Sequence, residues 1–283
     1  MGPPFFVFFV FQRKLIFVAR SSQKRLSKVV RVLFEKAKEV ADRIGCSEVF
    51  EAMLEHYLEA SDRCEAVVTF RPKGSHCSKS IILQNCSMMR QNALRRVVSL
   101  TRGGFHMIES ENVLGLALIT RAHMESTCQI GYYCAVVRSF LDGNTAYKSL
   151  YEKLLKATIG ASHEMFSYAP NPINVLYYVE KSEKYFPRLN EQKEKLDLRD
   201  KYDFLSEFCH PNFCSSIVGH NFDPSEGKIV YDEVDKIDKK NSVILDYLSV
   251  MTALLIVFDN EFSQLKAELA EYTHWPNLDF RNN

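Results

Sequence analysis

The sequence predicts an all-α protein: an irregular bundle of long antiparallel helices, with one short non-helical excursion that admits a hairpin. Three observations predict it. Apolar residues recur at intervals of three and four through most of the chain. Glycine and proline punctuation falls between those periodic segments. Strands at the spacing of βαβ units are absent, so a parallel sheet is not expected.

The N-terminus carries two apolar runs, Phe5 to Phe11 and Leu15 to Ala19, interrupted by Gln12, Arg13 and Lys14. Neither reaches the roughly 20 residues that a bilayer span needs, so no transmembrane span is expected. Residues 1–25 are read as an N-terminal extension outside the fold, native or from a misassigned start. The alternative is a targeting or membrane-surface segment backed by Arg20, Lys24 and Arg25. Residues 26–283 are expected to form a single all-helical domain.

Leu26 to Ile44 has helical spacing, with Gly45 as its stop. Ser47 is placed as the N-cap of a helix through Asp62. On that helix Glu51, Glu55 and Glu59 form an acidic stripe, and paired carboxylates can hold metal or move protons. No histidine stands at the Glu-x-x-His spacing of a carboxylate-bridged metal site, so a solvated face is expected and no metal. Phe70 to Ser80, with Pro72 and Gly74, reads as a loop. Its adjacent His76 and Cys77 have poor geometry for sharing a metal.

Helical pattern resumes near Ile81 and runs to about Val98. Arg90, Arg95, Arg96 and Arg102 make this the most basic stretch, read as surface charge or as a phosphate-binding face. Gly103-Gly104 is expected to break the helix. The longest periodic segment, Ser110 to Leu141, is apolar on several sides and therefore central. Asp142-Gly143-Asn144 is a turn. Thr145 to Ile159 is an amphipathic helix and Gly160 to Pro172 a loop. Ile173 to Tyr185 is a helix ended by Pro187, and Leu196 to His210 is another. Asn212 to Asp232 is the excursion, with Lys228 to Tyr231 strand-like, and Ser242 to about Thr273 is the last long helix. Trp275 is expected to pack on the surface.

Of 283 residues, 36 are basic and 35 acidic. That balance carries no global signal for nucleic acid or membrane. The 8 cysteines include no Cys-x-x-Cys pair, which argues against a zinc ribbon or redox motif and for a reducing cytoplasm. Phosphate loops, nucleophile elbows and His-Glu-x-x-His are absent, and no cofactor is expected.

One stretch concentrates polar residues within an apolar helical pattern: Tyr202 to Asn212. Tyr202, Ser206 and His210 recur every four residues, so a continuous helix places them in one stripe, with Pro211 ending it. A second pair, Arg121 and Glu125, shares a face of the central segment. Charges in so apolar a helix need partners.

Arg121-Ala-His-Met-Glu125 and Tyr202-Asp-Phe-Leu-Ser206-Glu-Phe-Cys-His210 resemble a family of uncharacterised bacterial all-helical proteins. That family has Arg-x-x-x-Glu on a central helix and Tyr-x-x-Leu-Ser-x-x-x-His on a later one. The resemblance covers roughly Asn112 to Val257. The chain is also loosely similar to HEPN-type helical domains, which bind nucleotides or cleave RNA. Those carry Arg and His a few residues apart on one helix. Here the nearest upstream Arg to His210 is Arg199, so Arg121 has to serve from another helix.

Three readings follow. The first is a structural polar network of Arg121, Glu125, Tyr202, Ser206 and His210, since an unmet buried polar group costs about 1–3 kcal/mol. The second is a metal-independent phosphodiesterase or nucleotide site. There His210 acts as acid or base, Arg121 stabilises phosphate charge and Glu125 orients Arg121, while Tyr202, Ser206 and Asn212 bind. The third is an interaction module of a stress or phage-defence system that docks through the site or through the Asn212–Asp232 excursion. The leading expectation is a binding or interaction module built around the polar network. Its expected partners are a protein, RNA or a nucleotide, and a homodimer is compatible.

Overall fold

The computed structural model describes residues 32–68, 78–190, 195–211, 215, 218–223, 225–231 and 236–276. The N-terminal extension, most of the Phe70–Ser80 segment and Asn212 lie outside the described residues. The chain is an all-α helical bundle plus one small hairpin. Among the described residues the α-helices are α1 (Glu35–Arg43), α2 (Ser47–Asp62), α3 (Ser78–Glu109), α4 (Val113–Leu141), α5 (Tyr147–Ile159), α6 (Val175–Tyr185), α7 (Leu198–Ser206) and α8 (Val243–Glu271). Strands β1 (His220–Asp223) and β2 (Lys228–Tyr231) fall inside the expected excursion.

The helix ends follow from local chemistry. Gly45 adopts φ +80°, donating to the carbonyl of Asp42 while Cys46 donates to that of Ala41. This left-handed cap satisfies two otherwise orphaned carbonyls of α1. The same motif recurs after α4, where Gly143 has φ +76°, Gly143 donates to Phe140 and Asn144 to Ser139. Ser47 is the first helical residue of α2 rather than its cap, because the Cys46 carbonyl already accepts from Phe50 N–H at 3.0 Å. Asn112 caps α4 by accepting from Gly115 N–H at 2.6 Å.

The expected break at Gly103-Gly104 does not occur: α3 runs through both. They serve close packing. A Cβ at Gly104 would lie 2.6 Å from Leu248 Cδ2, and one at Gly103 would lie 3.1 Å from Ile119 Cδ1. The cost of glycine in a helix, about 1 kcal/mol relative to alanine, is thus met by close helix approach.

The chain divides into two compact units. The first comprises residues 1–62, 98–123 and 203–253. Its core is aromatic: the Phe105 ring lies tilted against Phe34 at 4.5 Å and meets Phe50 and Tyr57 at 5.4 Å, edge-on. Arg43 pairs with the carboxylate of Glu111, which also accepts from Ile237 N–H at 3.2 Å. In β1–β2, His220 stands opposite Tyr231 and Asp223 opposite Lys228. Asp223 closes the turn by accepting from Ser225 N–H at 2.9 Å. Gly227 completes it at φ +63°.

The second unit comprises residues 63–97, 124–202 and 254–283. Tyr132, Tyr133, Phe258 and Phe262 are its largest sealed side chains. A Cβ at Gly131 would meet Ser182 Oγ at 2.5 Å and the Phe258 ring at 2.6 Å. The Ser182 hydroxyl is itself committed to the Cys128 carbonyl at 2.6 Å. Gly131→Ala is therefore expected to lower stability despite better helix propensity, since overpacking costs about 1–3 kcal/mol. Urea unfolding checks the sign, and a more stable variant would refute the packing argument. Trp275 packs on Phe140 at 5.5 Å and donates to the Tyr272 carbonyl, in keeping with a surface role.

Among the described residues α8 is the helix of membrane length and apolarity. Its mean hydropathy reaches 1.7 over 18 residues, enough by length and composition to cross a bilayer. However, 67% of that window is buried within the protein, as for the core helix of a globular bundle.

Candidate functional site

The residues marked by the sequence fall in different surroundings. Tyr202 is buried on α7, and its hydroxyl donates to Glu125 Oε1 at 3.3 Å. That contact joins the two motifs at one point. Ser206 is half-buried at the last turn of α7. His210 is not on the helix. Beyond Ser206 the backbone tightens: Glu207, Phe208 and Cys209 donate to carbonyls only three residues back. A three-residue turn advances each residue by about 120° instead of 100°, which rotates His210 off the Tyr202–Ser206 stripe. Pro211 reinforces the stop. His210 is exposed, and its carbonyl accepts from Ser215 Oγ. Arg121 is half-buried on α4 and belongs to the first unit, while Glu125 and Tyr202 belong to the second.

Glu125 has a second environment that the sequence did not suggest. It lines a cavity of about 310 Å³ in the second unit. One wall comes from α3, with Asn92, Ala93 and Arg96, and the facing wall from α4, with Glu125, Ser126 and Gln129. Tyr133, Thr158 and Tyr178 also line it. The Arg96 Nε–H donates to Ser126 Oγ at 2.8 Å, which fixes the guanidinium plane against α4. Gln129 donates its amide to the Ala157 carbonyl at 2.5 Å, and Tyr133 donates to the same carbonyl at 3.2 Å. Burial raises the Tyr178 phenol to about 12 and pushes that of Tyr133 higher still, so both remain neutral donors. The cavity thus presents one guanidinium, one carboxylate, amides and phenols on a rigid helical frame.

The sequence signal for it lies in two i, i+4 pairs, Asn92 with Arg96 and Glu125 with Gln129. Each pair puts two polar groups on one helix face. The expectation treated Arg96 only as part of a basic run, because its partner lies 30 residues away.

A second polar cluster in this unit is closed. Asp259 is fully buried and accepts from Arg63 Nη1 at 2.7 Å and from Arg90 Nε and Nη2 at 2.6 and 2.9 Å. Arg63 also donates to Asn260 Oδ1 at 2.8 Å. Every strong donor here points at a protein acceptor, so the cluster fits structure rather than ligand binding. His123 is likewise sealed in the first unit, 3.1 Å from Thr101 Oγ1, and burial lowers its pKa to about 3. The expected acidic stripe is partly or fully exposed at Glu51, Glu55 and Glu59. Among the described residues no group of three or more metal-binding side chains forms. No family model, curated protein or solved structure matches this chain.

Proposed function

We propose that this protein is a binding module whose ligand enters the polar cavity between Arg96 and Glu125. The observation behind the reading is that one roughly 310 Å³ space is lined by both a guanidinium and a carboxylate, each held in place by a hydrogen bond to the frame. Small-molecule sites combine such a concave space with a few convergent polar groups. Tyr202, marked by the sequence, acts as a positioning residue that orients Glu125. Wild type and Asn92→Trp, which plugs the exposed rim, are compared by thermal unfolding with a panel of small metabolites. A ligand at 100 times its Kd adds about 2.7 kcal/mol of stability, or roughly 5–10 °C. The expected result is such a shift in wild type and its loss in Asn92→Trp. A shift surviving in the plugged variant would move the site elsewhere, and no shift with any compound would remove the reading.

Two other readings each have one feature behind them. Docking of a protein partner through the excursion is favoured by the exposure of Ile229, Val230 and Tyr231 on β2. A metal-independent, HEPN-like ribonuclease of a cytoplasmic bacterial defence system is favoured by the solvent access of His210, with Arg121 as its phosphate partner. RNA cleavage that disappears in both His210→Ala and Arg121→Ala, with folding intact, would favour it over the binding module.

A further inference from the structure

The hydrogen bonds around the cavity separate the polar groups that serve the frame from those open to a ligand. We infer that the ligand is a small monocarboxylic acid with an apolar body, its carboxylate held by Arg96 and Asn92 on α3 and its body lying along Tyr133, Tyr178 and Val175. This rests on the reading of the cavity as the ligand site.

Most polar groups of the lining are already engaged within the protein. Gln129 and Tyr133 both donate to the Ala157 carbonyl, at 2.5 and 3.2 Å, and Thr158 donates to that of Leu154 at 2.7 Å. Glu125 is engaged by the Tyr202 hydroxyl at 3.3 Å and by further contacts within the protein. Two side chains differ. Among the described residues, neither the terminal Nη groups of Arg96 nor the amide of Asn92 has a protein partner. These two stand one helical turn apart on α3 and share a face. The Arg96 Nε–H bonds Ser126 Oγ at 2.8 Å, which fixes the guanidinium plane and leaves the two Nη groups as its donors. A planar pair of N–H donors matches the two oxygens of a carboxylate.

Charge sets the ligand at one negative charge. Among the described lining residues Arg96 is the cation, and Glu125 adds a carboxylate to the same lining. A phosphate monoester, with nearly two charges, would set the second against Glu125. An amine would meet the charge of Arg96, while Glu125 already has its partners in the protein. The rest of the lining suits an apolar body: Met89, Ala93, Val175 and the rings of Tyr133 and Tyr178. Burial keeps both phenols neutral, so they add no charge. A volume of about 310 Å³ is at the lower end of ligand pockets and suits one ring or a short branched chain.

The test is calorimetric titration of the full chain with phenylacetate, 3-phenylpropionate and 4-methylpentanoate, each beside its primary amide. Acetate and phenyl phosphate are the controls for the body and the charge. At least one of the acids is expected to bind, with its amide and with acetate each weaker by about tenfold or more. Arg96→Gln should reduce the acid to the affinity of its amide and leave the amide unchanged. Arg96 is exposed on α3, so this variant is expected to fold, which its thermal midpoint checks. Equal binding of acid and amide in wild type would overturn the carboxylate assignment. So would tighter binding of phenyl phosphate, or a preference for the acid that survives in Arg96→Gln. Absence of binding by all of the acids at millimolar concentration would overturn it as well. The cavity reading is judged apart from these outcomes. A compound of another class whose stabilisation disappears in Asn92→Trp would keep the cavity and remove the acid.

Discussion

Asp259→Ala should unfold on the order of 10 °C below wild type. The carboxylate is fully buried and accepts three hydrogen bonds, one from Arg63 and two from Arg90. The side chains of those arginines are only 21% and 16% exposed, so neither can regain full hydration when the anion goes. Breaking a buried pair from one side costs about 3–5 kcal/mol, because the loss is an uncompensated charge rather than a missing contact. At roughly 2–4 °C per kcal/mol for a chain of this size class, the midpoint follows. Asp259→Asn keeps the shape and one acceptor oxygen and should fall between the two. The triple variant Arg63→Met, Arg90→Met and Asp259→Leu should recover much of the loss, since apolar replacement of every charge in the cluster removes the desolvation problem. A single Asp259→Ala variant within about 1 kcal/mol of wild type in urea unfolding would show that water reaches both guanidiniums.

The second large effect is a change in the sign of the pH dependence. His123 has a folded pKa of about 3 because its sealed site disfavours the imidazolium. An unfolded chain holds it near 6.5. Between those values the unfolded state binds the extra proton, so stability rises with pH and is lost as pH falls toward 3. Each unit of that interval is worth about 1.4 kcal/mol for one group. His56, also lowered by burial, acts in the same direction. Asp246 acts in the opposite one. Burial raises its carboxyl from 3.8 to about 6, so its contribution is present below 3.8 and lost as pH rises through 6. Wild type should therefore show a shallow profile from pH 4 to 6 and a steep loss below it. Asp246→Asn should steepen the rise between pH 4 and 6 and leave the slope below it unchanged. His123→Gln should be less stable at pH 7 but should flatten or reverse the slope between pH 4 and 6. Urea midpoints at half-unit intervals read this directly, and an unchanged slope in His123→Gln would remove the histidine as its source.

The helical frame was legible because its signals are local. Gly45 and Gly143 stop helices where the pattern says they should, and Lys228 to Tyr231 reads as a strand and is one. Gly103-Gly104 misled because glycine carries two meanings. It lowers helix propensity, and it also lets a neighbouring leucine or isoleucine approach the backbone. His210 misled because a four-residue stripe assumes a uniform helix, while the last turn tightened before Pro211. Glu125 and Tyr202 stand out in the sequence as charge and phenol on apolar helices, and they meet at 3.3 Å. Which other residues surround them is not legible. Arg96 meets Ser126 across 30 residues, and Arg90 meets Asp259 across 169, and no periodicity records which faces meet.

The hairpin carries a consequence for the chain at high concentration. Its sheet has two strands, and every residue of β2 is exposed, including Ile229, Val230 and Tyr231. No third strand pairs with it among the described residues. A ribbon of that kind is a template for backbone pairing with another molecule, and it would seed self-association if it were longer and flatter. Four-residue strands and the charged pair of Asp223 opposite Lys228 at the turn end work against that. Lengthening the ribbon or neutralising Lys228 should therefore raise the tendency of one copy of the chain to pair with another.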